Sequence, residues 1–209
     1  MTYIIGDVHG KIQSYKDLIL NNDITDSIQV GDMGVGFDDF QDIHLSNLHA
    51  GYRKLRFIRG NHDNPEKCKE ITNYIEDGVI ENDVMFVGGA YSIDQHLRTT
   101  GIDWWENEEL SYSELQHIID IYEDMKPTVM ITHAAPRHIA NHMFKLNPPS
   151  NSRTCQCFEM MLNIHLPKFW FFGHYHETKT LDFKDVRFHC LDELDYVNFD
   201  FYKKDYINE

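Results

Sequence analysis

The chain has 209 residues, with 34 acidic side chains against 19 Lys and Arg, and a formal net charge of −15. At 42% hydrophobic and 13% aromatic it holds the apolar material for a core, which a disordered chain lacks, and its length suits a single domain over residues 1–209. That charge repels polyanions at long range and argues against long duplex nucleic acid as a partner. No apolar run approaches the ~20 residues of a bilayer span. The opening Met1-Thr2-Tyr3-Ile4-Ile5-Gly6-Asp7 turns acidic too soon for a signal peptide. A cytoplasmic protein with no membrane partner is the expectation, with Cys68, Cys155, Cys157 and Cys190 as free buried thiols.

Short β runs alternate with amphipathic helices, which predicts an α/β fold. Tyr3-Ile4-Ile5 is the first expected strand. A helix follows from Lys11 to Asn21, with Ile12, Tyr15, Leu18 and Ile19 at helical spacing. Ile28-Gln29-Val30 is the second strand, residues 38–52 the next helix, and Arg56-Phe57-Ile58 the third strand. Pro65 suits the first turn of a short helix. Val84-Met85-Phe86-Val87 is a fourth strand, ending in Gly88-Gly89. The acidic run Glu106 to Glu109 reads as a solvated loop.

Ser111 and Glu114 form a capping box that opens a helix with Leu115, Ile118, Ile119 and Tyr122 on one face, and Pro127 stops it. Thr128-Val129-Met130-Ile131 is the next strand. Pro136 to Thr154 reads as a long loop containing Pro148-Pro149, of a length that functional or mobile segments have. Arg137 and Arg153 at its ends are minor candidates for substrate contact. Thr154 to Leu166 is helical, with Phe158, Met161, Leu162 and His165 on one side, so His165 is expected in the core. Phe169-Trp170-Phe171-Phe172 has the unbroken apolarity of a strand at a sheet centre. The tail alternates Val197, Phe199 and Phe201 against Asn198, Asp200 and Tyr202, a final strand.

Five of these strands end in a chemically able residue. The segments are Gly6-Asp7-Val8-His9-Gly10, Gly31-Asp32-Met33-Gly34, Gly60-Asn61-His62-Asp63, Thr132-His133 and Gly173-His174-Tyr175-His176. Strand C-termini of an α/β sheet converge on one crevice, where ligands sit. Asp7 and His9 are two apart, so an extended chain points both to one side, and His174 and His176 repeat the spacing. Turn chemistry alone explains Asp and Asn at such places. It does not explain His9, His133, His174 and His176. Imidazole, carboxylate and amide oxygen together suit Mn, Fe, Zn or Ni better than Ca or Mg. Asp7, His9, Asp32, Asn61, His133, His174 and His176 are too many donors for one ion and fit two that share a carboxylate. The other histidines, His44, His49, His96, His117, His138, His142, His165 and His189, read as structural or surface groups.

The five blocks, in this order, resemble the calcineurin-like metallophosphoesterase superfamily. The segment Gly88 to Asp94, then Arg98 and Trp104-Trp105, is similar to its small bacterial and phage members. The resemblance implies a four-layer αββα sandwich of two mixed sheets flanked by helices. It implies two divalent transition-metal ions, Mn first, with Fe, Zn or Ni as alternatives. By that resemblance Asp7, His9 and His176 hold the first ion, Asn61, His133 and His174 the second, and Asp32 bridges them. His62 is the general acid, oriented by Asp63. Arg98 is the candidate for holding a substrate phosphate beside Asn61, as a planar fork of donors, and Trp104 and Trp105 are candidates for a pocket wall or a packing anchor. The phosphoprotein phosphatases of this superfamily carry an acidic-Arg pair soon after the second block. Here that block runs on as Met33-Gly34-Val35-Gly36-Phe37 without Arg.

The leading function is a phosphatase acting on a phosphomonoester, a small nucleotide or a phosphoprotein, by attack of a hydroxide held between the metals. A phosphodiesterase or nuclease on cyclic or short nucleotides is the alternative. A metal-stabilised binding module comes third, since such a module has no use for a protonating imidazole.

Overall fold

The computed structural model describes residues 1–37, 53–146 and 149–207; the helix expected over 38–52, with His44 and His49, lies outside the described residues. In chain order come β1 (Thr2–Ile5), α1 (Ile12–Asn21), β2 (Asp26–Gln29), β3 (Lys54–Phe57), α2 (Pro65–Cys68), β4 (Ile80–Glu81) and β5 (Val84–Val87). Then follow α3 (Tyr112–Met125), β6 (Val129–Thr132), α4 (Arg137–Phe144), α5 (Arg153–Ile164), β7 (Phe169–Phe172), β8 (Lys179–Phe183), β9 (Val186–Cys190), β10 (Tyr196–Asp200) and β11 (Asp205–Tyr206).

The strands form two mixed sheets, ordered β11-β10-β1-β2-β3 and β4-β5-β6-β7-β9-β8. Parallel pairing runs through β1-β2-β3 and through β5-β6-β7-β9, and antiparallel strands extend the edges. The period-2 alternation of each strand feeds two faces. Ile4, Ile28, Phe86, Ile131, Phe171 and Phe199 turn to the shared interior between the sheets. Ile5, Leu55 and Phe57 turn out onto Ile12, Tyr15 and Ile19 of α1. Met85, Met130, Trp170, Phe172 and Phe188 turn out onto α3, α4 and α5. The result is a four-layer αββα sandwich. β7 sits between β6 and β9, and Trp170, Phe171 and Phe172 have no exposed surface, so both of its faces are covered, as its unbroken apolarity requires.

Two segments differ from the sequence reading. The expected loop from Pro136 to Thr154 contains α4, whose Ile139, Ala140 and Met143 are buried on one face. His138, Asn141 and His142 dilute that short stripe, and the prolines around it suggest a loop. The hairpin β8–β9 is also absent from that reading. Val186, Phe188 and Cys190 alternate inward, but Lys179, Asp182 and Lys184 make the run look polar because β8 is an exposed edge. The β4–β5 hairpin closes on Asn82 and Asp83, both at positive φ (49° and 69°), the backbone that a two-residue hairpin turn demands. The capping box forms as expected: Ser111 Oγ accepts from the Glu114 amide at 3.3 Å, and Glu114 Oε2 accepts from the Ser111 amide at 2.8 Å.

Candidate metal centre and adjoining cavity

The loops after β1, β2 and β3 of one sheet meet those after β6 and β7 of the other. Close approach is built into the backbone there. A Cβ on Gly60 would lie 2.0 Å from Asp32 Oδ1, and one on Gly173 would lie 2.0 Å from Asp7 Oδ1. The expected extended geometry does not occur. His9, Asp32, His174 and His176 all have positive φ (49°, 56°, 69° and 48°). The side chains converge because the chain turns left-handed at each of them, a conformation that non-glycine residues hold only where the surroundings over-determine it. Asp32 O supplies part of that hold, accepting from the Val8 amide at 3.0 Å and the His9 amide at 2.7 Å.

Asp7 is fully buried, and its Oδ2 accepts from the His174 amide at 3.0 Å. His176 Nε2 and His9 Nε2 lie 3.4 and 3.7 Å from Asp7 Oδ2, and 2.9 Å from each other. Asp32 sits between that group and His133. Its Oδ2 is 3.6 Å from His9 Nε2 and 3.4 Å from His133 Nε2, while Oδ1 accepts from the His62 amide at 2.7 Å. His133 Nδ1 donates to Val30 O at 2.9 Å, which leaves Nε2 as the ligating atom, 3.1 Å from Asn61 Oδ1. Asn61 is fixed in turn. Its Nδ2 donates to Ser92 Oγ at 3.0 Å, and Ser92 Oγ donates to Glu108 Oε2 at 2.5 Å, so Oδ1 faces the site. Ser92 and Glu108 are buried.

These residues suit cations. Asp7 Oδ1 is buried without a hydrogen-bond partner, a costly state for a carboxylate oxygen unless a positive charge meets it. Ligand atoms of Asp7, His9 and His176, of Asp7, Asp32 and His133, and of His9, Asp32 and His62 lie within 4.8 Å of one another in each group. Burial alone would push the His133 imidazole down, yet the Asp32 and Asp7 carboxylates hold it up at about 9. Burial and the neighbouring His133 push His174 down to about 3, so its ring is neutral and able to ligate. His174 packs on His133 with ring centroids 5.0 Å apart but joins none of these groups of ligand atoms.

His62 stands at the edge of the cluster. Arg98 Nη1 and Nη2 approach its Nδ1 and Nε2 at 3.1 and 2.8 Å, and Arg98 Nη2 also donates to Asp94 Oδ2 at 2.8 Å. Burial, then the Arg98 charge, hold the imidazole below its ordinary range, against the opposing pull of Asp32. Asp63 does not take the place expected for it. Its carboxylate accepts from the backbone amides of Met33, Gly34, Val35 and Gly60 at 2.7–3.1 Å, tying the Asp32 loop to the Asn61 loop. The group lying against the His62 ring is the Arg98 guanidinium instead, which can donate to the one ring nitrogen that carries no proton.

Arg59 is a buried brace: Nε donates to Asp77 Oδ2 at 2.8 Å and Nη1 to Glu108 O at 2.6 Å. Trp105 is buried against Phe37 and anchors rather than lines the site. The acidic run is not uniformly solvated. Glu108 holds Ser92, and Glu109 Oε1 accepts from Ser152 Oγ and the Thr154 amide at the start of α5. Arg137 and Arg153 donate to backbone carbonyls, of Pro149 and of Glu109 and Leu110. His165 caps α5 half-buried. Glu193 has no signal in the sequence, yet its Oε1 is 3.9 Å from His9 Nε2 and 3.8 Å from His176 Nδ1. The four cysteines are free and buried.

A cavity of about 430 Å³ opens from this cluster. Asp32, Asn61, His62, His174 and His176 of the cluster line it together with Tyr91, Ile93, Leu146, Pro149 and Tyr175, and with Arg98 and Asp94.

Two mixed sheets under flanking helices, with carboxylates and imidazoles gathered at the strand ends, define an α/β protein built to hold metal ions. The model of the calcineurin-like phosphoesterase family matches residues 2–178, and the chain belongs to that family. It is thus a phosphoesterase by family, with candidate metal sites at the family's motifs. No curated protein matches it. Among solved structures it is similar to the phosphopantetheinyl hydrolase of Mycobacterium tuberculosis, at 14% identity over 92% of this chain and 89% of that one, with a TM-score of 0.50. GAP50, the anchor in the inner membrane complex of Plasmodium, matches at 11% identity over 100% of this chain and 75% of that one, with a TM-score of 0.47. At 14% identity the likeness to the hydrolase is one of fold. No described helix is long and apolar enough to cross a membrane.

Proposed function

We propose that residues 1–209 form one domain that hydrolyses phosphomonoesters in the cytoplasm with two divalent transition-metal ions, Mn first among them. The observation that carries this is Asp32, placed between the Asp7–His9–His176 group and His133 with its Oδ2 within 3.6 Å of an imidazole nitrogen on either side. Asp7, His9 and His176 would hold one ion, Asn61, His133 and His174 the other, and Asp32 both. When bound, such ions supply Lewis acidity that makes water nucleophilic at neutral pH and offsets phosphoryl charge.

The chain's own residues do the rest. Asn61, with its Nδ2 held by Ser92 and its Oδ1 turned to the cluster, fixes one side of the phosphoryl site, and the Arg98 fork holds the phosphoryl oxygens. Water attacks phosphorus and the ester P–O bond breaks. His62 gives its proton to the departing alkoxide, so the products are an alcohol and phosphate. A phosphoryl dianion drawn to Arg98 replaces the repulsion between that guanidinium and a protonated His62 with attraction, which favours the proton that must be donated.

The test is a parallel assay of p-nitrophenyl phosphate and bis-p-nitrophenyl phosphate with added Mn, beside elemental analysis. Close to two metal ions per chain and preference for the monoester are expected. Preference for the diester favours the phosphodiesterase reading, and full activity without metal contradicts the mechanism.

A further inference from the structure

The cavity beside His62 carries more information about the substrate than the metal centre does, because any phosphoester can meet the metals but only some leaving groups suit the rest of the lining. We infer that the site selects a small phosphomonoester with a single phosphoryl group and an uncharged, apolar or aromatic leaving group. This rests on the phosphomonoesterase reading above.

Charge is the first argument. Of the residues lining the cavity, Arg98 is the one Lys or Arg, and the carboxylate of Asp94 already engages it at 2.8 Å. The residues outside the described ones, 38–52, 147–148 and 208–209, contain no Lys or Arg, so no further such cation is hidden there. A second phosphate on the leaving group would meet Asp94 and a chain of net charge −15 with no second Lys or Arg in the cavity lining to receive it. That disfavours nucleoside di- and triphosphates and other polyphosphates.

Surface chemistry is the second. Ile93 and Leu146 are 73% and 49% exposed, and both face this cavity. Large aliphatic groups left in water at the mouth of a pocket mark a binding surface more often than scattered exposure does. Tyr91 lines the cavity with them. Its hydroxyl accepts from Asn151 Nδ2 at 3.2 Å and from the Gln95 side chain, so the ring is held in a preorganised position. Ser152 and Cys155 at the start of α5 also line it. At about 430 Å³ the space takes a ring or short aliphatic group and lies low in the range of small-molecule sites. A phosphorylated loop of a protein would have to bring its flanking backbone into the same volume.

The experiment uses leaving groups of similar acidity, so that shape is read rather than reactivity. The full-length, Mn-loaded protein is assayed on 2-phenylethyl phosphate, glycerol phosphate and a phosphoserine peptide. Binding of 2-phenylethylphosphonate and ethylphosphonate is measured by calorimetry. The expected result is a kcat/KM at least about 10-fold higher for 2-phenylethyl phosphate, and a matching preference in phosphonate binding, as burial of a phenyl group predicts. Ile93→Asn and Tyr91→Ala should each narrow that ratio through KM; Ile93 is exposed, so its substitution leaves the core untouched. Equal rates on the two small esters, or faster cleavage of the peptide, overturn the inference and leave the phosphomonoesterase reading standing. If the phenylethylphosphonate preference appears but no ester turns over, the assignment of the cavity stands and the catalytic reading fails. No preference in either readout overturns the inference.

Discussion

The metal centre and the cavity that adjoins it are built by opposite means. The centre consists of residues a few positions past strand ends, pinned by backbone: Asp7 by the His174 amide, Asp32 by the His62 amide, His133 by Val30 O. Its side chains are mostly buried and its backbone is strained at His9, Asp32, His174 and His176. The rest of the cavity lining is mostly loop side chains, with Ile93 and Leu146 exposed and Arg98 engaged by Asp94. On the proposed function, chemistry would rest with the buried donors and selectivity with surface loops that can change without disturbing them.

The sharpest way to break that comparison is at the centre. Asp32→Ala should cost on the order of 10³ or more in kcat. It should also lower metal content in elemental analysis, because Asp32 stands between both groups of donors. Retained stoichiometry and rate would mean that the two groups do not share it. His62→Asn comes next: metal content unchanged and kcat down by about 10²–10⁴ on an unactivated alkyl ester. An unchanged rate there removes His62 as the acid.

Loss of the centre must be distinguished from loss of the fold, and His189 allows that. It lies in β9 with Nδ1 3.1 Å from the Tyr206 hydroxyl and Nε2 buried without a partner, and burial pushes its pKa down to about 4. Between pH 4 and the ordinary value near 6.5 the unfolded chain binds the extra proton, so stability rises with pH across that window. The contribution is complete above about 6.5 and is lost as pH falls toward 4. At about 1.4 kcal/mol per pH unit it amounts to about 3–4 kcal/mol. Urea midpoints at a series of pH values should fall less steeply for His189→Gln than for the parent. Parallel slopes would show that the imidazole is not buried neutral. The smallest effect is expected one shell out: Ser92→Ala or Glu108→Gln should weaken metal binding about 10–100-fold by calorimetry, because Asn61 loses its orientation. Unaltered affinity would reduce that chain of hydrogen bonds to packing.

Much of the centre was legible because every donor but His133 belongs to a short segment with its own glycine, and strand ends in such sheets converge. The expected core of the second sheet was legible for a similar reason, since Phe169 to Phe172 carries its apolarity in four consecutive letters. What was misread has a common cause. Glu108 looked like one of several solvated acids, and burial by a distant loop made it the anchor of Ser92. Asp63 looked like a partner of the adjacent His62, and the backbone amides of another loop claimed its carboxylate. α4 was hidden because its apolar stripe is only Ile139, Ala140 and Met143.

The amino-acid order alone therefore determined which residues end the strands, which faces are apolar, and what chemical types reach the centre, because these follow from local periodicity and from side-chain chemistry. Only the tertiary structure decided that the donors turn left-handed to meet, that Glu193 stands beside His9 and His176, and that Arg98 rests on His62 and Asp94. Those outcomes depend on which loops touch and how their side chains settle against one another, and local periodicity carries no record of such contacts.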